Sequence, residues 1–268
     1  MVPGRLFQRI PPIAVLLGAS FAAGVATLPL REEIEPPRRN LETLEGLGQT
    51  VLIGTLGGLR ALAADFLWLR ANYHWQEKNH GLTETTARAV TRLQPDFPYF
   101  WIETARMIVY DMPVWRFGRD KRAPDSVERR IRREQAERGL ALLEEAAGFL
   151  PDSAAIPAEQ ARIHWTVLDQ PEKAQEKYRE AYRKPDGRAL HARLRAVILM
   201  DLGRRQEALE WLEDVLAGMN PEEDPGQYRL MASYLEGLRA GRDPRAAAAP
   251  GNRLPRPDPV PEGGEGGP

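Results

Sequence analysis

The sequence predicts an all-α protein built from repeated helical hairpins, and three observations carry that expectation. One helix is written twice at a separation of 34 residues: Ala174, Tyr178 and Ala181 in PEKAQEKYREAY line up with Ala208, Leu212 and Val215 in RRQEALEWLEDVL. The same face, a small residue followed by a large apolar one four positions on and a small or branched one three further, recurs at Gly139, Leu143 and Ala146, and more weakly at Thr83, Ala87 and Val90. Proline then follows each stretch, at Pro95, Pro151, Pro185 and Pro221. It ends a helix because it has no N–H to donate and clashes with the preceding turn.

A separation of 34 is the tetratricopeptide (TPR) period, in which a small residue lets two helices approach and a large neighbour fills the gap beside it. An α-solenoid of about four helical hairpins plus a capping helix follows, because each hairpin can bury its face only against the next. The first pair is expected over residues 58–78 and 82–94, with Leu59, Leu62, Ala63, Phe66, Leu67 and Leu69 or Arg70 as a buried stripe. Residues 98–112 begin the second pair, and an insertion of roughly twenty residues containing WRFGRDKRAPDS separates them from a long helix over 127–149. The third pair covers 155–168 and 171–184, the fourth 188–202 and 204–217 with Gly203 as the turn, and 227–238 is amphipathic and caps the open end.

The flanks of this solenoid, 57–240, differ in kind. Residues 1–9 form a short flank carrying Arg5 and Arg9, and 10–30 are apolar, with no charge from Ile13 to Leu30. One transmembrane helix is the leading reading; a secretory signal cleaved after Ala26 and a buried soluble helix are the others. A short basic flank is normally retained, so the repeats are expected outside the cytoplasm, although Arg31, Arg38 and Arg39 nearly balance the count. Residues 31–56, broken by Pro36 and Pro37, read as a juxtamembrane linker, and 241–268 as a disordered Pro/Gly-rich tail. A second span over 51–69 would place Arg60 and Asp65 near mid-bilayer, which is costly without partners.

Composition narrows the chemistry. With a formal charge of −1 there is no global attraction to nucleic acid, and with no cysteine there are no disulfides, zinc–cysteine sites or thiol nucleophiles. No His-Glu-x-x-His, phosphate loop or nucleophile elbow occurs. Gly46, Gly48, Gly54, Gly57 and Gly58 lack the spacing of a dinucleotide fingerprint. Glu77 and His80 have the Glu-x-x-His spacing of di-iron bundles, but His164 and His191 have no carboxylate at that spacing, so a surface pair is preferred to a metal site. No cofactor is expected.

Two surfaces remain. From Arg116 to Arg138 the chain holds nine basic and five acidic residues, among them Arg129, Arg130, Arg132 and Arg133. A salt-bridged helix face is the leading reading, with an anionic surface or nucleic acid as the alternative. Repeat position marks Arg106, Ile163, Thr166, Arg193, Val197 and Met200 as lining the groove formed by the first helices. Trp68, Trp75, Tyr99, Trp101, Tyr110 and Trp165 stand at core-compatible spacing.

The block GGLRALAADFLWLRANYHWQEKN, followed by ARAVTRLQPDFPYFWIETARMIVYDM, resembles a group of small bacterial membrane-anchored TPR proteins. The matching residues are Gly57, Gly58, Leu59, Arg60, Asp65, Leu67, Trp68, Arg70, Leu93, Pro95, Phe97, Pro98 and Trp101. The resemblance implies an α-solenoid held at the bacterial inner membrane and implies no reaction. The expected function is a non-catalytic scaffold with a protein or peptide partner.

Overall fold

The computed structural model describes residues 44–117 and 124–242. The expected anchor, the start of the linker and the Pro/Gly-rich tail lie outside them. All regular elements of the described residues are helical, and the chain divides into two compact units between Gln94 and Pro95.

The first unit is a hairpin of α1 (Leu44–Gln76) and α2 (His80–Leu93). The helix starts earlier than the expected 58, because the glycines at 46, 48, 54, 57 and 58 are carried within it. The reversal is made by Lys78 in the left-handed region, φ 53°, and by Asn79, whose side chain accepts from the Leu82 N–H at 3.2 Å. The two helices meet through small and branched residues. Ala64 and Ala71 are buried from α1; Thr83, Ala87, Val90 and Thr91 are buried from α2. Arg60 donates from Nε to the carbonyl of Leu93, so a cation sits on the C-terminal end of α2, where helix carbonyls lack partners.

This packing corrects the expected stripe. Leu62, Phe66 and Leu69 are exposed, and Ala63 with them. The face that α1 buries is the one with the least bulk, because a close crossing has room only for it. Among the described residues no helix is long and apolar enough to cross a membrane, and α1 is one of those helices.

The second unit opens with α3 (Pro98–Arg106), led by Pro98 at its first turn, where a missing N–H costs nothing. A π-turn over Met107–Asp111 follows, closed by the Met112 N–H on the Met107 carbonyl, and α4 (Met112–Phe117) continues it. The expected insertion is therefore helical as far as Phe117. Then come α5 (Asp125–Phe149), α6 (Ala155–Thr166), α7 (Pro171–Arg183), α8 (Ala189–Asp201), α9 (Arg205–Gly218) and α10 (Pro225–Arg239). The starts of α6 and α8 are 34 residues apart, and so are those of α7 and α9. These are two successive hairpins of tetratricopeptide period. Gly203, at φ 73°, makes the turn between α8 and α9.

All four sequence triads are buried: Thr83, Ala87 and Val90; Gly139, Leu143 and Ala146; Ala174, Tyr178 and Ala181; Ala208, Leu212 and Val215. One core gathers Trp101, Ala105, Ile108, Val109 and Met112 with Leu142, Leu143, Ala146, Ile156 and Ile163. Trp101 fixes the start of α3, donating from Nε1 to the Pro95 carbonyl at 2.9 Å and stacking on Phe149 at 5.7 Å. A second core runs from Trp165, Ala174 and Tyr178 through Ala196, Leu199, Ala208 and Leu212 to Met231, Tyr234 and Leu238 of α10. The last helix thus covers the end of the row, as expected. Of the aromatics placed in the core by spacing, Trp101 and Trp165 are buried, whereas Tyr99 and Trp75 are exposed.

Gly139 is where the crossing is tightest. A Cβ there would lie 2.3 Å from Cγ2 of Val109 and 3.5 Å from the Ala105 carbonyl oxygen. Val109 is buried and β-branched, so it has no free rotamer into which to retreat. Gly139→Ala should therefore destabilise the fold by about 1–3 kcal/mol even though alanine is the better helix former. Adding Val109→Ala should recover part of that loss, so that the double variant melts above what the two single losses sum to. Additive losses in a urea or thermal unfolding cycle would show that the two residues do not meet.

Candidate functional site

Three buried or half-buried polar residues stand 34 apart on successive first helices of the second unit: Glu159 on α6, Arg193 on α8 and Gln227 on α10. They hold the same repeat position, and their partners differ. Glu159 is satisfied. Its Oε2 accepts from Arg106 Nε at 3.2 Å and Nη2 at 2.9 Å, and its Oε1 accepts from Arg162 Nη2 at 2.7 Å. Arg106 also reaches Glu103 at 2.6 Å, and the Arg162 guanidinium lies over the Tyr110 ring at 4.9 Å. Burial by itself would lower Arg106, but the hydrogen bonds and charges of Glu159 and Glu103 together outweigh it and raise the guanidinium above its ordinary value. Burial, reinforced by the charge of Glu159, raises the Tyr178 phenol, which stays neutral.

Arg193 is the opposite case. It is 7% exposed, and its Nε and Nη1 have no hydrogen-bond partner. Its guanidinium lies 5.8 Å from the Tyr234 ring centroid. The Gln227 Oε1 is also buried without a hydrogen bond. Arg193 and Gln227 border an open cavity of about 610 Å³ with Tyr182, Arg188, Leu190 and Glu223. A buried charge normally carries its partner with it, since leaving it alone forfeits hydration without compensation. Arg195, two residues along the same helix, obeys that rule: Nε donates to Gln175 at 3.0 Å, Nη2 pairs with Glu207 at 2.7 Å, and the group stacks on Trp211 at 4.4 Å. Arg195 ties α8 to α7 and α9, whereas Arg193 faces a cavity.

The other expected groove residues separate. Thr166 is exposed, its hydroxyl donating to the Arg162 carbonyl at 2.8 Å, and Arg106 is half-exposed. Met200 is partly buried against the second core. Ile163 and Val197, at 0% and 1% exposure, are core residues and line no groove. Both expectations fail for one reason: at that repeat position the side chain turns toward the neighbouring helix. Glu159 and Gln227 are absent from the expected groove, although their separation from Arg193 by one period each way is legible in the sequence.

The basic run is largely self-compensated. Arg132 pairs with Glu128 at 2.6 Å and Arg130 with Glu134 at 3.7 Å, on opposite sides of α5; Arg129 and Arg133 are exposed. Glu77 and His80 do not share a helix face, because α1 ends at Gln76 and the left-handed Lys78 stands between them. Among the described residues no group of three or more His, Asp or Glu could hold a metal ion.

No protein-family model matches the sequence, and no curated protein matches it. Among solved structures, the chain is similar to the crystal structure of a thermophilic TPR protein of Thermus thermophilus, with 14% identity over 81% of this chain and 97% of that one and a TM-score of 0.40. The repeat assignment rests on the 34-residue spacing of the chain's own helices.

His191, buried at the start of α8 and stacked on Tyr178, supplies a pH test. Its Nδ1 accepts from the Arg188 N–H at 3.3 Å, which requires a neutral ring. Burial, then the charge of Arg188, lowers its pKa from the ordinary 6.5, and burial also lowers His164. A depressed folded-state pKa gives stability that is complete above the unfolded value and is lost as pH falls through the folded one. The urea midpoint should fall between about pH 7.5 and about pH 5.5, and His164→Gln with His191→Gln should flatten that slope. An equal slope in wild type and double variant would remove both histidines from the account.

Proposed function

We propose that this protein is a non-catalytic, membrane-tethered scaffold whose second unit holds a segment of a protein partner along the face bearing Glu159, Arg193 and Gln227. The observation that carries the proposal is Arg193, a buried guanidinium with unmade hydrogen bonds on an open cavity. An anionic or carbonyl-rich segment would complete it. A purely structural arginine is expected to resemble Arg195, which is paired on both sides. The absence of any catalytic constellation in the sequence agrees with a binding role. Support for the tether comes from the uncharged run Ile13 to Leu30 after Arg5 and Arg9.

Two measurements test this reading. With a photo-crosslinking residue at Leu190, which is exposed at the cavity, the full chain in its native membranes should give a discrete protein adduct. Arg193→Met should abolish that adduct while leaving the chain at least as stable as wild type, by about 1 kcal/mol or more, because it removes an unpaired buried charge. Loss of stability without change in the adduct would make Arg193 structural. The second measurement is topology. Protease added to spheroplasts should degrade the repeats, with the chain remaining in the membrane pellet at alkaline pH. Protection would place the repeats inside, and release at alkaline pH would favour a cleaved signal.

A further inference from the structure

The side chains fully buried in the first unit are all small or branched, and four large apolar residues of α1 are left exposed. Leu62, Phe66, Leu69 and Tyr73 are 53%, 65%, 69% and 59% exposed. Their spacing along α1 is four, three and four residues. That is the a/d seam of a coiled coil, with Leu62 and Leu69 at d and Phe66 and Tyr73 at a. On the flanks, Asp65 holds a g position and Arg70 the e position five residues on. Both are exposed, and neither makes an ion pair with any described residue.

We infer that α1 is a parallel, in-register dimer interface whose occupant is the α1 of a second copy of this chain. In a parallel pair each g residue faces the e residue five positions on in the partner. Asp65 of one copy then meets Arg70 of the other, twice by symmetry. An antiparallel pair brings g to g and e to e, so Asp65 would face Asn72 or a second Asp65, and Arg70 would face Ala63 or a second Arg70. Only the parallel arrangement pairs the charges.

Other occupants fit less well. The uncharged run Ile13 to Leu30 could cover the apolar stripe but has nothing to offer Asp65 or Arg70. A lipid surface would place the Asp65 carboxylate against acyl chains or anionic headgroups, both unfavourable. A second copy brings both complementary charges at the required offset. The interface is confined to the first unit and does not depend on the proposed function of the second.

The chain has no cysteine, which makes single-cysteine crosslinking free of background. In the full chain, Leu62→Cys and Leu69→Cys should form intermolecular disulfides under mild oxidation, since facing d positions in a parallel pair approach within the reach of an S–S bond. Thr85→Cys, exposed on α2, should react at least tenfold more slowly. In the Leu69→Cys background, Asp65→Arg should slow crosslinking about tenfold, and adding Arg70→Asp to the same chain should restore it. Mixing an Asp65→Arg chain with an Arg70→Asp chain, both carrying Leu69→Cys, should likewise crosslink faster than either does alone. Equal rates at all three cysteines, or a rate at Leu69→Cys that ignores the charge swaps, overturns the proposal. So does a label at Phe66→Cys that reports burial on adding anionic vesicles while no crosslink forms, an outcome that assigns the face to lipid.

Discussion

Closeness of approach at one position in each hairpin governs the rest of the structure. Where two helices cross, the chain places a small residue: Thr83, Gly139, Ala174 and Ala208. The backbones come together there, and in the last three the larger residue one turn on, Leu143, Tyr178 or Leu212, is forced into the space beside the crossing. Packing at crystal-like density tolerates neither a gap nor an added methyl at such points. At Gly139 the constraint reaches its limit, because the Val109 methyl already occupies the volume that a Cβ would need.

That constraint also divides the labour among charged groups. Once the helices are close, a guanidinium on their inner surface must be compensated locally or left facing a cavity. Arg195 is compensated by Gln175, Glu207 and the Trp211 ring. Arg193, on the same helix, has the Tyr234 ring at 5.8 Å but leaves its Nε and Nη1 without a hydrogen bond. Helix α8 therefore carries one arginine whose hydrogen bonds are made by its neighbours and one with two N–H groups left unmatched beside a cavity. The contrast is stronger grounds for a site than the charge of either residue, since both are buried to a similar degree.

How much of this was legible in the residues depended on which physical signal was read. Period was reliable: the triads at 83, 139, 174 and 208 are all buried, and the hairpins begin 34 residues apart. Phase was not. Helix α1 has apolar residues on several sides, from Leu59 through Leu69, and hydrophobicity alone favoured the bulky side. The observed packing chose Ala64 and Ala71, because the partner face offers room only for small groups. Ile163 and Val197 failed in a related way: groove and core positions are neighbours on a helix, and a small rotation exchanges them. The π-turn over Met107–Asp111 has no marker in the sequence. It follows from how Ile108, Val109 and Met112 are all accommodated in one core.

The ladder of Glu159, Arg193 and Gln227 has a consequence for any segment lying along it. A repeat array whose rungs were identical would be translationally degenerate, so a bound chain could slide by one rung at no cost. Here the rungs are unlike: a carboxylate already neutralised by two arginines, a cation without a carboxylate partner and an uncharged amide. Moving a ligand by one period would bring its anion from the cation to a filled or a neutral rung and forfeit the pairing. Sequence divergence between repeats that are geometrically equivalent would thus supply a reading frame, setting both the alignment and the polarity of any segment laid along them.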